Sequence, residues 1–274
     1  MKRFVCFLSI CFVLPVCLPA QHKLEKLWQT DTIVAIPESV LPDPANHILY
    51  VSLIDGSPWE ADGKGGIGKL STDGKQYNGS WITGLNAPKG LGKHGNRLYV
   101  ADISEVVVID IAKGVVEKKI AIPGATGLND ITVDGNGVVY VSDSRKGNIH
   151  RIENDMPSVY LDNKPGVNGL KAIGSDLYIF NGKKFEKADV NKLITPILEL
   201  DAGGDGIEPV GNGDFILTIW GGYIYYARPD GQKELLLDTH LEKKNTADIG
   251  YDAAKKIVYV PTFNAKMIVA YKLL

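Results

Sequence analysis

The sequence predicts an all-β protein, a six-bladed β-propeller in which an N-terminal strand closes the last blade. Three observations carry that reading. An apolar strand of the Leu-Tyr-Val kind recurs six times. The recurrences are spaced at the length of a four-stranded blade. Between them lie Gly-, Asn- and Asp-rich turns, and no stretch has a convincing helical period.

The six strands read HILYVSLIDG from His47, NRLYVADISEVVVID from Asn96, GVVYVSDSRKGNIHRI from Gly137, SDLYIFNGKKFEKADV from Ser175, GDFILTIWGGYIYYAR from Gly213 and KIVYVPTFNAKMIVAY from Lys256. Their central aromatic residues are Tyr50, Tyr99, Tyr140, Tyr178, Phe215 and Tyr259, spaced 49, 41, 38, 37 and 44 residues apart. Each unit opens on a short apolar strand such as Asp130–Asp134. It then turns through residues like Asp134-Gly135-Asn136-Gly137, which supply the positive φ that tight hairpins need. Residues 185–200 come closest to a helical pattern, but Pro196 and the β-branched residues favour outer strands and a loop. The last unit ends on its third strand, Met267–Leu274, and Lys23–Asp31 precedes the first unit as a spare strand. Pairing the two would cover an otherwise open sheet edge.

Residues 1–20 read as a signal peptide: Lys2 and Arg3, an apolar run from Phe4 to Val16, and cleavage near Ala20. Lipoprotein anchoring through Cys17 is the alternative, although Leu14-Pro15-Val16 lacks the small residue wanted ahead of a lipidated Cys. The expected product is exported, periplasmic or secreted, with one propeller domain over residues 21–274. All three cysteines (Cys6, Cys11, Cys17) fall in the leader. Disulfides, Cys-zinc sites and Cys nucleophiles are therefore excluded from the domain. Of the 30 basic residues, 28 remain once Lys2 and Arg3 are set aside, against 32 acidic ones. No basic tract points to nucleic acid, and no second apolar run reaches membrane-spanning length.

Each unit places a polar residue in front of its inner strand: Glu38, Asn86, Asn129 with Asp130, Asn168, Asp205 and Asp248. Taken singly these are ordinary turn residues, because Asn and Asp bond to nearby backbone N–H groups. In a propeller, equivalent inner-strand positions converge on the central axis. Six convergent amides and carboxylates would form an oxygen-only cage suited to a hard cation, Ca²⁺ above all.

On these residues the chain resembles the senescence marker protein/gluconolactonase/luciferin-regenerating family of six-bladed propellers. The resemblance runs along nearly the whole domain. It implies a divalent metal held by Glu38 in PES, Asn129 in LNDITVD, Asn168 in VNGL and Asp205 in GDGIEPVG. It also implies a hydrolase acting on a small lactone or similar ester, with the metal polarising the carbonyl and Asp205 as base or nucleophile. Asn86, Asp130, Glu208 and Asp248 would contact substrate or orient ligands. The sequence departs from the family after Glu38, where Ser39-Val40-Leu41 lacks the usual Pro and Trp. Blade two, LNAPKGLGKHGNRLYVAD, looks instead like an NHL repeat. A non-catalytic NHL-like propeller that binds a carbohydrate, peptide or protein partner is the rival reading.

Other chemistries have less support. The five histidines lie at no inner-strand start and show no zinc spacing. No Gly-x-Ser-x-Gly elbow is present. Asp102 and Asp143 are expected to bond to blade turns, while Trp59 and Trp220 suit either the channel mouth or packing between blades.

Overall fold

The computed structural model describes residues 21–274. The leader reading, with its cysteines, lies outside the described residues. Twenty-four strands form six four-stranded antiparallel sheets. Blade one comprises β2 (Pro37–Asp43), β3 (Ile48–Leu53), β4 (Gly65–Ser71) and β5 (Tyr77–Leu85). Blade two comprises β6 (Pro88–His94), β7 (Arg97–Asp102), β8 (Glu105–Asp110) and β9 (Val115–Ala121). Blade three holds β10 (Leu128–Val133), β11 (Val139–Asp143), β12 (Asn148–Glu153) and β13 (Met156–Leu161). Blade four holds β14 (Val167–Ile173), β15 (Asp176–Asn181), β16 (Lys184–Ala188) and β17 (Ile194–Glu199). Blade five holds β18 (Gly204–Pro209), β19 (Phe215–Ile219), β20 (Tyr223–Ala227) and β21 (Lys233–Asp238). Blade six is β22 (Gly250–Asp252), β23 (Ile257–Pro261), β24 (Ile268–Leu273) and, from the other end of the sequence, β1 (Leu24–Gln29).

The closure matches the expectation from sequence. β1 pairs antiparallel with β24 from Leu24↔Leu273 to Gln29↔Val269, so blade six has no bare outer strand beyond β24. The stretch 185–200 is β16 and β17, with Pro196 on the outermost strand, where a missing N–H costs no ladder bond on the solvent side.

The hydrophobic core is divided among the blade interfaces. One cluster joins Tyr99, Val106 and Val108 of blade two to Ile131, Val139 and Val141 of blade three. A second joins Tyr259, Ile268 and Ala270 of blade six to Val40, Leu49 and Val51 of blade one. Blades four and five meet through Phe180, Phe185, Phe215 and Leu217. This explains why the second strands are apolar at nearly every position: both faces are covered by neighbouring blades.

Register corrects one residue of the repeat. Tyr50, Tyr99, Tyr140 and Tyr178 pair with Leu41, Gly92, Thr132 and Lys171. In blade five the residue paired at that level, with Glu208, is Ile216, one beyond Phe215. An aromatic was the visible marker, but β19 carries its aromatic one step earlier. There Phe215 packs against Tyr178 and Phe185 of blade four.

Candidate functional site

The site is built by a repeated irregularity. In each of the first five blades the inner strand slips register just after its start: Pro37/Val40, Pro88/Leu91, Leu128/Ile131, Val167/Leu170 and Gly204/Ile207. Each slip sets two residues against one on the second strand, which is a β-bulge. A hydroxyl opposite the bulge restores the ladder in alternate blades. Ser39 N donates to Ser52 Oγ at 2.8 Å, Asp130 N to Ser142 Oγ at 2.9 Å and Gly206 N to Thr218 Oγ1 at 2.7 Å.

The bulges define two levels of the central channel. The first bulge residues are Glu38, Lys89, Asn129, Asn168 and Asp205. In blade six, Gly250 pairs with Tyr259, which brings Ala247 to the same level. The second residues are Ser39, Gly90, Asp130, Gly169, Gly206 and, on the same alignment, Asp248. Glycine at this level is a packing requirement. A Cβ on Gly90 would lie 2.6 Å from Asp130 Cα, and one on Gly169 would collide with the Asp205 carbonyl oxygen.

This register places the residues expected from sequence. Glu38, Asn129, Asn168 and Asp205 share the first level, all buried except Asn168, which is half-buried. Two expectations need correction. Asn86 lies before the blade-two strand, and its backbone N–H is held by Asp102 Oδ2 at 2.9 Å. The ring position of that blade belongs to Lys89, only 2% exposed. Asp248 sits one level deeper than Glu38, where its Oδ2 accepts Ser39 Oγ–H at 2.5 Å. Lys89 carries no side-chain oxygen and so stands outside the oxygen-bearing series. The signal was present, since Lys89-Gly90-Leu91 parallels Asn168-Gly169-Leu170 and Asp205-Gly206-Ile207.

Asp130 fastens blades together. Its Oδ1 accepts Ile131 N–H and its Oδ2 accepts Leu170 N–H of the next blade, both at 2.6 Å. Blades six and one are joined at the same depth by Asp248 N–H to Glu38 O and Val40 N–H to Asp248 O. Asp102 and Asp143 hold blade links, as expected: Asp102 takes the N–H groups of Asn86 and Ala87, and Asp143 takes those of Thr126, Arg145 and Lys146.

On the first level, Asn168 Nδ2 donates to Asp205 Oδ1 at 2.9 Å, and Asn129 Nδ2 donates to Ser144 Oγ at 3.1 Å. Glu38 Oε2 and Asn168 Oδ1 are buried without a hydrogen-bond partner. Burial, then the charges of Asp205 and Asp248, hold the Glu38 carboxyl well above its ordinary range. Burial and Asp248 push Asp205 up to about 8. Burial raises Asp248 to about 7, against the hydrogen bond from Ser39. Burial and Asp248 likewise hold Asp130 well above its ordinary value. Lys89 is lowered to about 8 by burial, with Glu38 and Asp102 opposing and Arg145 adding to the drop.

These groups fit a hard cation. Two orphaned oxygens and a set of mutually repelling carboxylates are what such an ion would satisfy. Among the described residues no group of three or more His, Cys, Asp or Glu is arranged to hold a metal, so the ring's donor set would have to include its amides.

Beyond the second level the channel widens into a cavity of about 290 Å³ lined by Thr132, Lys171, Glu208 and Lys93 among others. Glu208 thus lies in this cavity, paired with Lys171 Nζ at 2.9 Å. Burial keeps its carboxyl raised despite the pair. A larger cleft of about 730 Å³ is lined wholly by blade one, around Asn46, Lys69 and Asn78, away from the ring.

At the mouth, Trp59 from the β3–β4 loop is half-buried, with Lys89 Nζ 4.2 Å and Arg145 Cζ 5.0 Å from its ring centroid. Trp220 is exposed and meets Phe263 edge-on at 5.5 Å. Trp59 thus lies beside the ring lysine, while the contact of Trp220 is with Phe263 of the neighbouring blade.

No family model and no curated sequence matches the chain. Solved structures do match in fold. A streptogramin B lyase is 13% identical, with a TM-score of 0.66 over 92% of this chain and 98% of its own. A chain of a nidogen/laminin complex is 13% identical, with a TM-score of 0.66 over 82% of this chain and 88% of its own. A Bacteroides thetaiotaomicron protein of unknown function is 15% identical, with a TM-score of 0.68 over 92% of this chain and 76% of its own. The class is thereby defined: a six-bladed β-propeller, whose neighbours include both a lyase and a propeller from a protein–protein complex.

Proposed function

We propose that the protein is an exported metal-dependent hydrolase of a lactone or similar ester, with a divalent cation, calcium by donor chemistry, held by Glu38, Asn129, Asn168 and Asp205. One observation carries this reading: Glu38 Oε2 and Asn168 Oδ1 are buried and unpartnered on the level where Glu38 and Asp205 repel each other. Buried polar atoms left unpaired are costly and need a reason. A bound cation supplies Lewis-acid polarisation of a carbonyl oxygen. The chain's own contribution is to hold Asp205 still, through Asn168 Nδ2, as the group that accepts a proton or attacks. Thermal melting after chelation tests the cation site. Ca²⁺ should raise the melting temperature in a concentration-dependent way, because a ligand that binds only the native state stabilises it. No shift with Ca²⁺, Mg²⁺, Mn²⁺ or Zn²⁺ would overturn the reading.

Lys89 favours a second reading. It replaces an oxygen donor in blade two, consistent with an NHL-like propeller that binds a carbohydrate, peptide or protein without turnover. Metal binding with no turnover on any lactone or ester would select this alternative.

A further inference from the structure

We propose that the mouth above the ring recognises a carboxylate, held between Lys89 and Arg145 beside Trp59. Lys89 is an incomplete group. Its Nζ donates to Ala87 O at 2.9 Å, and among the described residues no carboxylate lies within ion-pair distance of it. An ammonium has three donors, and a buried one with donors unused is expensive. The face of Trp59 offsets part of that cost.

Arg145 converges on the same ring from blade three. Its stem crosses Gly127, where a Cβ would lie 2.6 Å from Arg145 Cγ, so a glycine leaves the room for it. The backbone of Arg145 is fixed by Asp143 Oδ1 at 3.1 Å, while its guanidinium forms no ion pair among the described residues. Two cations from different blades thus approach one indole, and among the described residues neither is ion-paired. A carboxylate supplies two oxygens, enough to serve both at once. Glu38 and Asp205 lie on the ring below and would repel a dianion, which favours a singly charged carboxylate over a phosphate.

The inference extends the functional reading above to the ligand side of the same mouth. Its test uses neither metal nor turnover, so the two can fail separately. Benzoate, benzyl alcohol and phenyl phosphate are titrated calorimetrically into protein stripped of metal with EDTA and then freed of the chelator by gel filtration. Benzoate should bind at millimolar concentration or below, and about tenfold more tightly than the other two. Lys89→Gln and Arg145→Gln should each weaken benzoate roughly tenfold and leave benzyl alcohol unchanged. Arg145 is exposed, so its variant should fold even if the Lys89 variant does not. Benzoate that binds no better than benzyl alcohol, or equally well to both variants, overturns the site. Tighter phenyl phosphate overturns the choice of carboxylate.

Discussion

The two ends of the central channel are lined by the same inner strands and are both rich in charge, yet they are organised oppositely. At the far end the charges are paired. Lys171 Nζ lies 2.9 Å from Glu208, and Lys93 Nζ lies 2.8 Å from Asp43, whose carboxyl that lysine and Asn46 hold below its usual range against the effect of burial. At the ring end burial raises Glu38, Asp205 and Asp248, the charge of Asp248 adds to the rise of the first two, and among the described residues Lys89 makes no ion pair. A chain able to build salt bridges at one end of its channel has left charges unbalanced at the other. Imbalance of this kind clusters where something is bound.

The sharpest way to break the comparison is Asp205→Asn. Turnover on a lactone panel should fall by roughly 10²–10⁴-fold, as for loss of a positioned base. Above about pH 8, where Asp205 is ionised, the same variant should raise the melting temperature of the metal-free protein, because a repelling charge has gone. Unchanged turnover would remove Asp205 from the chemistry.

At the paired end the effect should reverse. Lys171→Met leaves Glu208 buried without its partner and should cost about 2–3 kcal/mol in denaturant unfolding, less than for a fully enclosed pair because Lys171 is partly exposed. Adding Glu208→Leu should recover most of that loss. If the single variant unfolds like the wild type, the far end is not held by its pairing.

Acidity distinguishes the ends without mutation. The folded protein binds Asp205 and Asp248 protons up to about 8 and about 7, whereas the unfolded chain releases them near the ordinary carboxylate value. The folded state therefore holds more protons through this window, and stability must fall as pH rises across it. In EDTA the melting temperature should be lower at pH 8 than at pH 5, and saturating Ca²⁺ should flatten the slope. A metal-free profile that rises with pH would contradict the raised carboxyls.

The smallest effect concerns the bulges. Ser142→Ala leaves Asp130 N–H without its acceptor inside the fold and should cost about 1–2 kcal/mol, read by the same unfolding curves. A neutral result would mean that the bulge does not depend on its hydroxyl.

The blade count was legible in the sequence because each blade repeats the same strand and the same turn chemistry. Four ring positions were legible for a related reason: Glu38, Asn129, Asn168 and Asp205 each stand two residues before the position where the ladder resumes. Blades two and six differ from the series in separate ways: Asn86 stands three residues ahead of the ring residue Lys89, and Asp248 stands one residue past Ala247, an offset that swaps one channel level for the next. Asn86 and Asp248 were conspicuous oxygen donors, while Lys89 and Ala247 did not look like members of the series. The role of Asp130 was hidden for a different reason. Its acceptor function is directed at Leu170 N–H, forty residues on, and nothing local to Asn129-Asp130 announces a partner in another blade.

The union of β1 with β24 sets a timetable. Leu24 must wait for Leu273, so a nascent chain carries β1 unmated until Leu273 has emerged. Closure of the circle is the step of greatest sequence separation, and such steps are slow. The ring level is bound to that moment, because Glu38 of the first blade is fastened to Asp248 of the last. Five blades could stack in sequence and still lack a finished floor. Binding competence should therefore arrive all at once, at the end of folding, and a ring-dependent ligand signal would serve as a clock for that final event.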